Sequence, residues 1–364
     1  MNLKDIVRPP YRFARRTWIR GMGVFSRIQI KTGSKPMRPP NCKVAKAKEI
    51  RRILLPMMKY DYGIRERGLS YEYFNVYLTL KEMGYEVELF DFMTIFQEEG
   101  KMKMNELLWH TVNSYKPDLV FFALFEEQFD KRTILRISEE TPSITLNWFA
   151  DDDWRFHIFS KYWAPSFNFC TTTHRESLQN YLQLGYDNIV MTQWAANDAI
   201  YKNLNTAEKD IDVSFVGAAH GNRKYCLKYL ENNGIHVECF GNGWKNGRIN
   251  QDEVVRVFNR SKINLNFSAS SVGLTSQIKG RVFEIPLSGG FMLTEFAPHL
   301  DQYLTPGKEV AVFESLPDLA NKIRYFLLHD EERRRIANAG YRRSLAEHTY
   351  KQRFNKIFSE ILNQ

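Results

Sequence analysis

The sequence has no long apolar run, no clustered cysteines, no low-complexity tract and no short-period repeat. Its longest apolar stretch, Leu119 to Phe125, is a strand's length, far short of the ~20 residues a membrane-crossing helix needs. Cys42, Cys170, Cys226 and Cys239 lie far apart without a C-x-x-C pair. Neither a disulfide framework nor a sequence-local zinc site is therefore expected, and a reducing compartment fits. The first thirty residues never build an unbroken apolar core, so no secretory signal is expected. What is present is core-forming material: 43% hydrophobic and 14% aromatic residues, in a chain of 364. At ~100–200 residues per domain, two domains are expected, and disorder is excluded.

Charge is unevenly placed. Residues 1–52 hold 15 Lys/Arg against Asp5 and Glu49, whereas the rest carries 36 basic and 40 acidic residues. The net charge of +9 thus belongs to an N-terminal arm, expected over 1–48, on a mildly acidic body. In the arm Tyr11, Phe13, Trp18 and Phe25 interleave with arginines. Such a segment can place aromatics in a lipid headgroup layer while Arg and Lys meet anionic lipid. A solvated extension and a phosphate-binding, nucleic-acid segment are the alternatives, nucleic acid ranking last. The expected placement is cytoplasmic, peripheral on the inner membrane face through residues 1–45.

From Arg52 the pattern alternates apolar runs with helical periodicity. Strands are expected at 53–55, 87–90, 119–124 and 143–149, with helices at 73–83, 104–115 and 131–138 between them. Repeats of ~30 residues point to a parallel, doubly wound sheet. A second start follows at 211–216, with strands at 236–240, 263–267, 291–294 and 310–313 and helices at 225–230, 316–328 and 331–346. The fold class is α/β. The expected domains are 49–195 and 196–345, two Rossmann-like units facing across a cleft, and 346–364 as a C-terminal amphipathic helix. Ligands of such sheets collect beyond the carboxyl ends of the strands.

The informative run is Lys279 to Glu295, KGRVFEIPLSGGFMLTE. Arg281 and Glu284 are three apart and share a helix face, with Gln277 and Ser288 on the same stripe. Gly289 and Gly290 then cut the helix, allowing close backbone approach to a ligand. Glu295 closes the following strand at its carboxyl end. One carboxylate can accept from both ribose hydroxyls, while Arg and Lys can meet a diphosphate.

This run resembles the C-terminal domain of group 1 glycosyltransferases of the GT-B fold, especially the spore-maturation-protein-like branch. The matching positions are Lys279, Arg281, Phe283, Glu284, Gly289-Gly290-Phe291, Thr294-Glu295, Gly307-Lys308-Glu309, Ala337, Gly340 and His348-Thr349-Tyr350. Ser214 to Gly217, Asn222-Arg223, Gly241 to Trp244 and Trp194 to Asn197 agree with it. The resemblance implies a GT-B enzyme moving a sugar from a nucleotide-sugar to a glycan, lipid-linked or protein acceptor. It further implies retention of anomeric configuration without metal. Glu284 then corresponds to the ribose-binding glutamate, and Arg223, Lys279 and Arg281 to the basic positions facing the diphosphate. The E-x7-E pair of related enzymes lacks its first member, because Ser276 stands there; the alternative is a non-catalytic protein of the same fold that binds a nucleotide or an anionic surface.

Three readings apply to Asp151-Asp152-Asp153. Asp151 and Asp153 resemble a GT-A metal site, where two carboxylates bind a divalent cation bridging the donor diphosphate. They could instead face the acceptor as general bases, or form a capping, salt-bridging loop. No resident cofactor is expected, and a divalent metal enters only under the first reading. His174 is a further candidate base. Gly63 and Arg65, in the first strand–helix loop, are candidate acceptor contacts.

Overall fold

The computed structural model describes residues 37–124, 126–205, 209–270 and 275–363. The aromatic and basic positions of the arm through residue 36 lie outside this range. From Arg38 onward the chain forms one compact unit built on two parallel sheets.

The first sheet contains β1 (Arg52–Met57), β2 (Glu86–Asp91), β3 (Leu119–Phe122), β4 (Ile144–Phe149), β5 (Phe169–Thr172) and β6 (Ile189–Met191). Their order is β2-β1-β3-β4-β5-β6. The second contains β7 (Ile211–Val216), β8 (Glu238–Phe240), β9 (Ser261–Asn266), β10 (Met292–Glu295) and β11 (Ala311–Phe313), ordered β11-β10-β9-β7-β8. Strands β3 and β4 are buried along their whole length, because helices cover both faces of a doubly wound sheet. Register aligns apolar residues: Ile53 lies between Val87 and Leu119, and Leu293 between Leu265 and Ala311.

Several elements differ from the expectations. The helix expected at 104–115 begins at Phe92, broken at Gly100 where φ is 81°. Asp152–Trp163 is helical, with a π-type turn over Phe156–Ser160. A helix at Gln251–Arg260, absent from the sequence reading, is capped by the Asn250 side chain and buries Val254, Val255, Val257 and Phe258. The helix carrying Glu284 starts at Arg281, so Gln277 is not on its stripe.

The last helix, Tyr350–Leu362, opens with a capping box between Thr349 and Gln352. It sends Tyr350, Phe354, Ile357, Phe358 and Ile361 into the core of the first sheet. Burying each such side chain contributes ~1.5–3 kcal/mol, so this segment is a structural part of the first lobe. The outgoing and returning crossovers are bonded together: Ala196 N–H donates to His348 O, and Tyr350 N–H to Ala196 O. At the other end, Lys43 N–H donates to Glu139 O at 2.8 Å. Lys46 Nζ donates to Thr141 O and Ser143 O, both at 2.9 Å. The stretch around residues 43–46 therefore docks on the first lobe. Among the described residues no helix is long and apolar enough to cross a membrane.

Candidate active site

The carboxyl ends of the second sheet carry a cationic cluster. Strand β7 ends at Val216, and the loop after it leads to Arg223, first residue of the Arg223–Asn232 helix. Arg223 is buried, with its guanidinium 5.3 Å from the Phe215 ring centre and Nη1 donating to Ala218 O at 2.8 Å. Its Nε has no hydrogen-bond partner among the described residues. Burial, then the nearby Arg281 charge, lowers its pKa to about 10. Arg281 opens the helix that follows β9, and its Nε donates to Val216 O at 3.2 Å. Lys279, two residues earlier, donates to Ala269 O. Burial, then Arg223, pulls its pKa down to about 8, with Asp151, Asp153 and Glu295 opposing. Three cations are thus held together against their mutual repulsion, an arrangement that an anion of two or more charges relieves.

Glu284 sits one turn into the same helix. Sequence spacing allowed an exposed surface pair, but Glu284 is completely buried. Its Oε2 accepts from Arg281 Nη1, while Oε1 has no hydrogen-bond partner among the described residues. A buried carboxylate oxygen left with acceptor capacity beside a cation cluster is an arrangement that suits a ligand hydroxyl.

Glu295 is differently employed. Its Oε2 accepts from Ser268 N–H (2.9 Å), Ser268 Oγ (3.0 Å) and Ala269 N–H (3.3 Å), tying down the loop after β9. Lys279 donates to that loop, so Glu295 helps position the cation. Gly289 and Gly290 precede β10, at its amino end and away from the cations. A Cβ on Gly289 would lie 2.6 Å from the Asn203 side chain, and one on Gly290 would lie 2.8 Å from Asn264 Nδ2. Protein side chains, not a ligand, make the close approach there.

The first lobe presents a different surface. A cavity of about 250 Å³ opens at the carboxyl ends of β1, β3 and β4, lined by Met57, Met58, Tyr71, Trp148, Asp151, Trp194 and Tyr350 among others. Gly63 is buried, and a Cβ there would meet Met93 at 2.4 Å. Arg65 is exposed, 3.4 Å from Glu98. Neither lines the cavity. Asp61 and Tyr62 of the same loop do.

The three aspartates after β4 separate. Asp151 lines the cavity. Asp152 is buried and accepts from Tyr181 Oη at 3.1 Å, and burial raises its pKa to about 7. Asp153 accepts from Thr275 Oγ1 of the second lobe, and burial lifts its pKa to about 6. His174 lies with Asp153 in a smaller crevice of about 80 Å³ that Gln277 and His299 also line. Its Nδ1 pairs with Ser177 Oγ at 2.9 Å and its Nε2 with Glu176 at 3.0 Å. The structure thus brings Arg223, Lys279, Arg281 and Glu284 together, with Asp151 and Asp153 opposite. It leaves Gly63, Arg65, Gly289 and Gly290 elsewhere.

Contacts between the lobes were not visible in the sequence. Arg248 pairs with Asp61 at 2.9 Å, and a Cβ on Gly280 would lie 2.7 Å from Tyr71 Oη. Tyr71 Oη is 3.0 Å from Tyr350 Oη. Trp194 and Trp148, just before a crossover and at a strand end, are the sequence signals from which this aromatic wall could have been found.

Residues 223–359 match the model of a family described as glycosyl transferase-like. No curated protein sequence matches the chain. Among solved structures, a glycosyltransferase from Rickettsia africae superposes with a TM-score of 0.61 at 12% identity. Sucrose-phosphate synthase from Thermosynechococcus elongatus gives 0.60 at 10%. HepE of Anabaena, solved with UDP and glucose, gives 0.59 at 11%. Each likeness covers 86% of this chain and 99% of the other. The fold is GT-B. The GT-A reading of the aspartates does not describe it, since a second five-stranded parallel sheet carries the cation cluster.

Proposed function

We propose that the protein is a glycosyltransferase that takes a nucleotide-sugar donor at the carboxyl end of its second sheet. The observation that carries this is the convergence of Arg223, Lys279 and Arg281 beside the buried Glu284, whose Oε1 retains acceptor capacity. A nucleoside diphosphate matches both parts, its phosphates meeting the cations and a ribose hydroxyl meeting Glu284. HepE, of the same fold, is solved with UDP and glucose.

In the reaction so proposed, an acceptor oxygen bonds to the anomeric carbon of the donor sugar. The bond from that carbon to the diphosphate oxygen breaks, and the nucleoside diphosphate leaves with the electron pair. The acceptor's proton passes to Asp151 or to the departing phosphate. Fixed cations in a partly buried site stabilise the leaving charge without reorganisation. This supports metal-independent transfer, and the resemblance of the Lys279 to Glu295 run supports retention of anomeric configuration.

The test is release of nucleoside diphosphate from a panel of nucleotide-sugars, with and without EDTA. Turnover that survives chelation is expected. Loss on chelation with rescue by manganese would move the diphosphate to Asp151 and Asp153. Release from none of the donors would leave a non-catalytic binding protein.

Membrane attachment through the arm belongs to the same proposal. Residues 1–36 hold nine Lys/Arg and one acid. Removing them spares the docked Lys43 and Lys46. Co-sedimentation with anionic vesicles should fall on truncation and with salt. Equal binding by both forms would refute the attachment.

A further inference from the structure

The first-lobe cavity has the chemistry of a particular acceptor class. We infer that it takes an uncharged, hydroxylated aromatic group, which deepens the glycosyltransferase reading and rests on it. Its wall combines Met57, Met58, Val76, Phe121, Leu124 and Phe149 with five aromatic side chains that have a polar edge. Four of them, Tyr71, Trp194, Trp148 and Tyr350, form a continuous box. Tyr71 and Trp194 meet edge to face at 5.4 Å, and Trp148 lies 6.2 Å from both Trp194 and Tyr350. Rings so arranged favour a further planar ring by offset and edge-to-face pairing, beyond what apolar area contributes.

Size and polarity select further. An apolar cavity of ~150 Å³ accommodates benzene, so about 250 Å³ admits a larger ring system, bicyclic in scale. Among the described lining residues there is no Asn or Gln, and the only aliphatic hydroxyl is Ser160. The other neutral polar groups are the hydroxyls of Tyr62, Tyr71 and Tyr350 and the indole N–H groups of Trp148 and Trp194, with Tyr71 and Tyr350 already bonded to each other at 3.0 Å. A saccharide seated there would therefore leave part of its many hydroxyls unpaired. Three carboxylates, Asp61, Glu72 and Asp151, line the cavity against one cation, Arg155. That balance disfavours a phosphate, so an isoprenyl phosphate is a poor occupant. Asp151 also lies close enough to Lys279 to oppose its loss of charge. Asp153, two residues on, accepts from Thr275 of the second lobe, so a hydroxyl on the bound ring beside Asp151 lies on the side of the cavity nearest that lobe.

The experiment is binding to the full chain without donor, read by quenching of tryptophan fluorescence and by calorimetry. The probes are 2-naphthol, maltose and farnesyl phosphate. 2-Naphthol should bind at least about tenfold more tightly than either other probe. Val76→Phe and Ala123→Phe, which fill the cavity, should each weaken it by a similar factor. Two variants guard against one failing to fold, and circular dichroism checks both. Tighter binding of maltose or farnesyl phosphate, or naphthol binding unchanged in both folded variants, would overturn the assignment. UDP, GDP, ADP and dTDP are titrated in parallel. Nucleotide binding without naphthol binding removes the aromatic acceptor alone, whereas naphthol binding without nucleotide binding removes the donor reading and leaves the cavity assignment standing.

Discussion

The carboxyl ends of the two parallel sheets carry opposite chemistry. Beyond the first, strands deliver aromatic rings and carboxylates: Trp148, Tyr71, Asp61 and Asp151. Beyond the second they deliver Arg223, Lys279 and Arg281 around one buried glutamate. The same architecture thus presents an apolar, acidic half and a cationic half, joined where Asp153 meets Thr275. The difference separates roles: a charged, departing group belongs to the second half and an apolar, nucleophilic one to the first. The asymmetry is built largely from side chains in the loops and helix starts that follow the strands.

The largest expected effect breaks the second half from inside. Glu284→Ala leaves Arg281 without its buried partner, and removing one member of a buried pair costs ~3–5 kcal/mol. A drop in thermal midpoint, together with lost nucleotide affinity, should appear. Glu284→Gln keeps the shape and should recover much of the stability but not the affinity. Stability unchanged in Glu284→Ala would mean the pair is not a unit.

Next comes Lys279→Met, which keeps the apolar stem and removes the charge. Losing a charge-assisted bond to a phosphate costs ~1.5–3 kcal/mol. Nucleoside diphosphate affinity should fall by that amount while cavity binding in the first lobe stays constant. A smaller effect is read from pH. Because Lys279 holds its proton only up to about pH 8, nucleotide affinity should decline as pH rises beyond that, by at most about tenfold per unit. Stability should move oppositely. Between about pH 8 and the ordinary lysine value the unfolded chain binds the proton that the folded chain has released, so unfolding becomes harder as pH rises. Affinity and stability that fall together would point to another group. The smallest effect is Arg65→Ala, an exposed pair with Glu98 worth ~0–1 kcal/mol, with no change in either ligand's binding.

Much of the fold was legible because doubly wound strands are buried apolar runs with recognisable spacing. The expected 211–216 and 316–328 coincide with the elements formed. The Gln251–Arg260 helix was not, because Val254, Val255 and Val257 argue locally for a strand, and burial with the Asn250 cap overrides that propensity. In the site, charged residues near strand ends could be picked out as types. Their employment could not, since it depends on contacts distant in sequence. Glu295 holds Ser268 and Ala269, Gly289 makes room for Asn203, and Gly63 for Met93. Tyr71 and Tyr350, 279 positions apart, meet only once the last helix returns to the first lobe.

The most direct measurement is calorimetric titration of the intact chain with UDP, GDP, ADP and dTDP, repeated on Arg223→Ala and Ala123→Phe. At least one nucleotide should bind, binding should be lost in Arg223→Ala, and Ala123→Phe should match the unaltered protein. Binding of none, or binding that survives Arg223→Ala and disappears in Ala123→Phe, would contradict the division of labour between the two sheets.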